Sequence, residues 1–243
     1  MSPTSGARHL SDDLETLKAR LLEMSVMVED LLRIAVESLA ERDEVKARSV
    51  EEGDRSVDAI ELELDEASIN MLALHQPVAR DLRLITMAMR ISSDLERIGD
   101  HAVNVAQAVK HVGKYPTLGR FPELGEMARL TRQMLTDALD AFTRGDAALA
   151  RDVRRRDDRV DALQDSLIRI LLTHMMEDPR RIGSAISLLL VSRNLERVAD
   201  LATNISEDVV FMVEGRFIKH GGPAAAGKDA ADQSPPVAEG PVS

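Results

Sequence analysis

The sequence predicts an all-α protein of six long helices set out as two copies of one unit, and three observations carry that expectation. Apolar residues recur at steps of three and four almost from end to end. The stretch DLERIGDHAVN, Asp94 to Asn104, returns as NLERVADLATN, Asn194 to Asn204, at an offset of 100 residues. Aromatic residues make up only 2% of the 243-residue chain, with no Trp, so the core has to be built from Leu, Ile, Val, Met and Ala. Strand signals are absent.

The first helix carries Leu10, Leu14, Leu17, Leu21, Met24, Val28, Leu31, Ala35 and Leu39 on one seam and breaks at Arg42-Asp43. The pattern resumes through Val50, Val57, Ile60, Leu64, Ala67, Met71 and Leu74 and stops at His75-Gln76-Pro77, with Pro77 suited to the first turn of a third helix. That helix carries Leu84, Ala88, Ile91, Leu95, Ile98, Ala102, Val105 and Val109 and ends near Gly113. Pro116, Gly119 and Pro122 mark an aperiodic connector. A fourth helix follows through Leu124, Met127, Thr131, Met134, Ala138 and Phe142, with Gly145-Asp146 as stop and N-cap. The fifth runs through Leu163, Leu167 and Ile170; Asp178-Pro179 opens the sixth, with Val191, Leu195, Val198, Ala202, Ile205, Val209 and Met212 on one face. These breaks give a first unit at 8–112, a connector at 113–122, a second unit at 123–214 and a tail at 215–243, rich in Gly, Ala, Pro and Ser, that is expected to be disordered.

Composition narrows the function. The absence of Cys rules out thiolate metal sites, disulfides and cysteine catalysis, and agrees with a reducing compartment. No signal peptide is recognisable at MSPTSGARHL, and the longest strongly apolar stretch, around Ala185–Val191, falls far short of the ~20 residues of a bilayer span, so a soluble protein without direct membrane insertion is expected. A net charge of −11 argues against nucleic acid as a partner. There is no Gly-rich phosphate loop and no Ser/His/Asp constellation.

What the duplication repeats is acidic. Glu96, Asp100 and Asn104 form one row on the third helix, since residues four apart lie about 40° from one another around the axis, and Glu196, Asp200 and Asn204 form the same row on the sixth. Ile85, Met89 and Val103 project within ~20° of Glu96, so that carboxylate sits at the edge of the apolar arc. On the second and fifth helices, Asp54 and Asp157 occupy places where the seam calls for an apolar residue, and Asp54/Asp58 match Asp157/Asp161 at an offset of 103. Desolvated like charges must be protonated, paired with cations or bound to metal. Hard-cation binding, neutralisation by arginine and a solvated face are the open readings. Arg97 and Arg197 point about 100° away from the neighbouring glutamates, leaving Arg55 and Arg159 as partners, with Asn104 or Asn204 as amide donors. His101 reads as a surface histidine, His75 and His174 as capping or packing groups, Arg154–Arg156 as a solvated face, and Met87, Met89, Met175 and Met176 as core filling.

The segments QPVARDLRLI, SDLERIGDHAVNVA and NLERVADLATNISEDVVFMVEG resemble the PhoU family of regulators of bacterial phosphate uptake, over the whole chain except the tail. The resemblance implies two tandem, pseudo-repeated antiparallel three-helix bundles, a cytoplasmic location and a homodimer. It also implies multinuclear metal clusters, iron or zinc, with magnesium, manganese and calcium as the other cations that oxygen ligands take. Carried over, the first cluster uses Asp54, Asp58, Glu96 and Asp100 and the second Asp157, Asp161, Glu196 and Asp200. Family copies often place His after the motif aspartate, as at His101; the second half has Leu201, which would weaken its site. The implied function is nonenzymatic: a negative regulator of the phosphate regulon that links the ATPase subunit of the phosphate ABC transporter to a membrane sensor histidine kinase. The alternatives are a carboxylate-bridged metalloenzyme with oxidase or hydrolase activity and a metal-free acidic helical scaffold.

Overall fold

The computed structural model describes residues 3–112, 115 and 118–216. Six helices span Pro3–Glu41 (α1), Glu44–His75 (α2), Ala79–Val112 (α3), Pro122–Arg144 (α4), Ala147–Glu177 (α5) and Ile182–Glu214 (α6), with no strand among the described residues.

The two copies use the same punctuation. After α1 and α4 the chain passes through a left-handed residue, Arg42 (φ 56) and Gly145 (φ 63), and then an aspartate caps the next helix. Asp43 Oδ1 accepts the amides of Val45 (2.8 Å) and Lys46 (3.1 Å); Asp146 Oδ1 accepts those of Ala148 (2.9 Å) and Leu149 (3.0 Å). Each aspartate's own amide donates back to a carbonyl of the preceding helix, Ser38 or Ala141, at 2.9 Å, so freed groups at both helix ends find partners. Three boundaries differ from expectation. Pro77 lies in the connector rather than in the first turn of α3, because Gln76 and Ala79 on either side take positive φ (47 and 44) and right-handed helical geometry follows only after Ala79. Pro122 is the first residue of α4 rather than the last of the connector, and a 3₁₀ turn at Pro179–Arg181, capped by Asp178, precedes α6. The expected tail lies, beyond Arg216, outside the described residues, as does Gly113.

Within each half the three helices pack on one another, and the halves meet chiefly where α3 lies along α6, with a lesser contact of α1 on α4. Cross-ties run in opposite residue order. Arg83 Nε donates to the Met212 carbonyl (3.4 Å), Arg90 Nε pairs with Asp208 Oδ2 (3.0 Å), and His101 Nδ1 meets Asn194 Oδ1 (2.9 Å). α3 and α6 are therefore antiparallel. The seams read from sequence are buried, among them Leu21, Met24, Leu64, Ile91, Leu95, Ile98, Met127, Met134 and Val198, and one continuous core runs from the first half into the second. Full burial of each large aliphatic side chain contributes on the order of 1.5–3 kcal/mol.

His101 is thus a tie between halves and not a surface histidine. Arg156 is not solvated either: it bridges Asp137 of α4 (2.6 Å) and Asp152 (2.8 Å), while Arg155 alone of its run stays well exposed. Met87 fills the core, whereas Met176 is 86% exposed. His75 ties α2 to Asp13 of α1 (3.0 Å), and His174 stacks edge-on against Phe121.

Candidate functional site: two carboxylate clusters

Each cluster is built by the helix pair that ends its half, α2 with α3 and α5 with α6. Asp54 and Glu96 are half-buried while Asp58 and Asp100 are exposed; in the second half Asp157, Glu196 and Asp200 are half-buried and Asp161 is exposed. Asp54, Glu96 and Asp157 have lost water without gaining a counter-charge. Burial raises Asp54 to about 6, reinforced by Asp58 and Asp100. Burial likewise raises Glu96 to about 7, with Asp100, Glu61, Asp58 and Asp54 adding repulsion. Asp157 rises to about 6 for the same reasons, burial first and then repulsion chiefly from Asp200 and Asp161, and Asp161 and Glu196 are also raised, burial first.

The halves differ at one backbone position. Asp54 Oδ1 is shielded from solvent with no hydrogen-bond partner, and it lies over Gly99: a Cβ there would stand 2.5 Å from that oxygen. The second copy has Ala199 in this place. Its charge is also partly met, contrary to the angular expectation, because Arg197 reaches Asp200 at 3.3 Å and Glu196 at 3.7 Å, whereas Arg97 reaches only Asp94 at 3.7 Å. A long side chain can bend back across the 100° that separates two Cβ directions. Arg159 pairs with Glu126 instead.

Sequence reasoning overlooked Glu61. It is raised by burial and by Asp65, takes a hydrogen bond from Ser93, and repels Glu96. The signal was available, since Asp54, Asp58, Glu61 and Asp65 continue one row at steps of four, three and four.

Among the described residues, no three Asp, Glu or His side chains already stand close enough to hold one metal ion. The donors nevertheless suit a hard cation. They are all oxygen and mutually repelling, the inner ones are half-desolvated, and in the first half they include a buried carboxylate oxygen that nothing satisfies. Asp54, Asp58, Glu96 and Asp100, and their counterparts Asp157, Asp161, Glu196 and Asp200, are the residues that would close around it.

Two antiparallel helical units on one core, each with an acidic cluster across its last two helices, define a duplicated all-α bundle protein of the carboxylate-cluster class. The PhoU domain family matches this chain twice, over residues 21–109 and 124–209. The chain belongs to the PhoU family. It is 38% identical over 217 residues to the phosphate-specific transport system accessory protein PhoU homolog of Pseudomonas putida, covering 89% of this chain and 85% of that protein. It is 35% identical over 210 residues to the PhoU accessory protein of Escherichia coli K12, covering 86% and 87%. The crystal structure of PhoU from Pseudomonas aeruginosa superposes with a TM-score of 0.82 at 37% identity, covering 85% of this chain and 99% of that one. The phosphate transport system regulatory protein PhoU from Streptococcus pneumoniae gives 0.79 at 27% identity, covering 86% and 99%. No helix among the described residues is long and apolar enough to cross a membrane.

Proposed function

We propose that this protein is a nonenzymatic accessory regulator of phosphate uptake. It acts in the cytoplasm as a homodimer, joins the ATPase subunit of a phosphate ABC transporter to a membrane sensor histidine kinase, and holds phosphate-responsive signalling off when phosphate is plentiful. The support is family membership over nearly the whole helical region, with relatives named as phosphate transport accessory and regulatory proteins. The single observation that ties the reading to this chain's chemistry is the pair of half-buried carboxylate clusters, one in each repeat, the first without a cation and the second only partly met by Arg197.

Both clusters bind metal in this proposal. A bound multivalent cation supplies positive charge that draws carboxylates of two helices together. The chain's own contribution is to hold Asp54 and Glu96, or Asp157 and Glu196, at half-burial so that the cation, rather than water, neutralises them. Units 8–112 and 123–214 would then each close around their own cluster.

Pull-down of the full chain with the ATPase subunit and with the sensor kinase, at high and low phosphate, tests the partners. Phosphate-dependent association with both is expected; association with neither removes the function. Elemental analysis of protein isolated without chelator tests the metal, and helical protein free of metal refutes that part alone.

A further inference from the structure

A cleft at one end of the seam between the halves, where α1, α3, α4 and α6 meet, encloses about 600 Å³. Four cationic side chains line it, Lys18 of α1, Arg80 and Arg83 of α3 and Arg144 of α4, against two carboxylates, Glu15 and Asp81. On a chain of net charge −11 this is a local reversal of sign. Lys18 and Arg144 are engaged only by exposed carboxylates of their own helices, Glu15 at 2.8 Å and Asp140 at 3.3 Å. Such pairs hold weakly and give way to a better partner. Arg83, half-buried, is oriented by the Met212 carbonyl, and Arg80 has no ion pair among the described residues.

The duplication supplies an internal comparison, because the seam has a second end built from the matching positions. There Gly183 stands for Arg83, Phe121 for Lys18 and Glu41 for Arg144, while Arg180 keeps the place of Arg80 and Arg181 takes that of Asp81, both paired with Asp178, at the offsets of 100 and 103 set by the repeats. That end is plugged: the Tyr115 ring of the connector lies directly against Gly183, and Leu39, Leu118, Phe121 and Leu124 pack on a small core of Val112, Leu167, Leu171, Ala185 and Leu188. At the first end, among the described residues, nothing fills the equivalent space, and arginine and lysine replace the apolar plug and the glycine that makes room for it.

We propose that this cleft binds a small polyanion carrying two or more linked phosphoryl groups. Guanidinium groups take phosphoryl oxygens in pairs, and a volume of this size is typical of a small-molecule site. Cations spread over three helices are better matched by a chain of phosphoryl groups than by one tetrahedral ion. Such a ligand bridges α1 and α3 to α4, doing with charge at this end what the connector does with apolar side chains at the other. The site goes beyond the function proposed above and stands apart from the acidic clusters, so its failure and theirs are read separately.

The test is calorimetric titration of the full-length chain, without added divalent cations, with inorganic tripolyphosphate and with ATP, repeated at low and raised salt. Saturable binding that weakens with salt, falls at least tenfold in Lys18→Glu/Arg80→Glu, and is unchanged in Arg155→Glu, is expected. Arg80→Gln gives a smaller loss and keeps the test open should the double charge reversal disturb folding, which circular dichroism reads. Equal affinity for the two ligands points to inorganic oligophosphate as the source of the shared group, and tighter ATP binding points to a nucleoside polyphosphate. Absence of saturable binding by either ligand overturns the proposal, as does wild-type affinity in a folded Lys18→Glu/Arg80→Glu protein.

Discussion

Replacing Asp54 by Asn in metal-free protein reads the electrostatic frustration of the first cluster directly. Burial and the neighbouring carboxylates move this group from 3.8 to about 6. The folded state then binds more protons than the unfolded chain between about pH 4 and 6, so its contribution to stability is fully present below about 4 and lost as the pH rises through about 6. A shift of that size carries about 3 kcal/mol as an upper bound, and because the side chain is only half-buried, solvent screening reduces it to about 1 kcal/mol. Asn keeps the shape and removes the charge. Chelator-treated Asp54→Asn is therefore expected to be about 1 kcal/mol more stable than the parent at pH 8, with the gain fading towards pH 4. Urea unfolding at pH 8, 6 and 4 measures it. A loss of stability at pH 8, or a gain independent of pH, refutes the reasoning.

Three further outcomes follow from single contacts. Gly99→Ala gains about 1 kcal/mol of helix propensity and loses about as much by driving a Cβ against the Asp54 carboxylate, so melting should shift little, while under the proposed metal binding the total metal read by elemental analysis should fall. Gly183→Ala pushes the Tyr115 ring off its seat; Tyr115 is the chain's one tyrosine and there is no Trp, so its emission should change without loss of helix, and an unaltered spectrum counts against the plug. Asp146→Ala removes two cap hydrogen bonds at the start of α5 and should cost about 1 kcal/mol in urea unfolding, with Asp43→Ala costing a similar amount.

Local rules carried most of the fold. The seams of α1 and α3, the stop at Arg42-Asp43 and the Gly145-Asp146 turn follow from periodicity and capping, which depend on near neighbours in sequence. Apart from the helix starts near Pro77 and Pro122, the places where sequence misled were long-range. His101 is set by Asn194 across the seam and Arg156 by Asp137 on another helix, neither of which a helical wheel contains. At the site, half-burial of Asp54 and Glu96 was legible from their intrusion into the apolar arc. The pairing of Arg197 with Asp200 was not, because side-chain reach outruns Cβ direction. The contrast between Gly99 and Ala199 stood in the sequence all along, but only packing shows that an oxygen occupies the glycine's missing side chain.

The core that passes without interruption from α1–α3 into α4–α6 bears on how this chain withstands damage. A protease that severed the connector around Tyr115 would leave two fragments whose α3 and α6 still cover one another's apolar faces. Neither piece can depart without exposing the interior of both. Limited digestion should consequently yield a nicked particle that elutes at the size of the intact molecule and melts in one step.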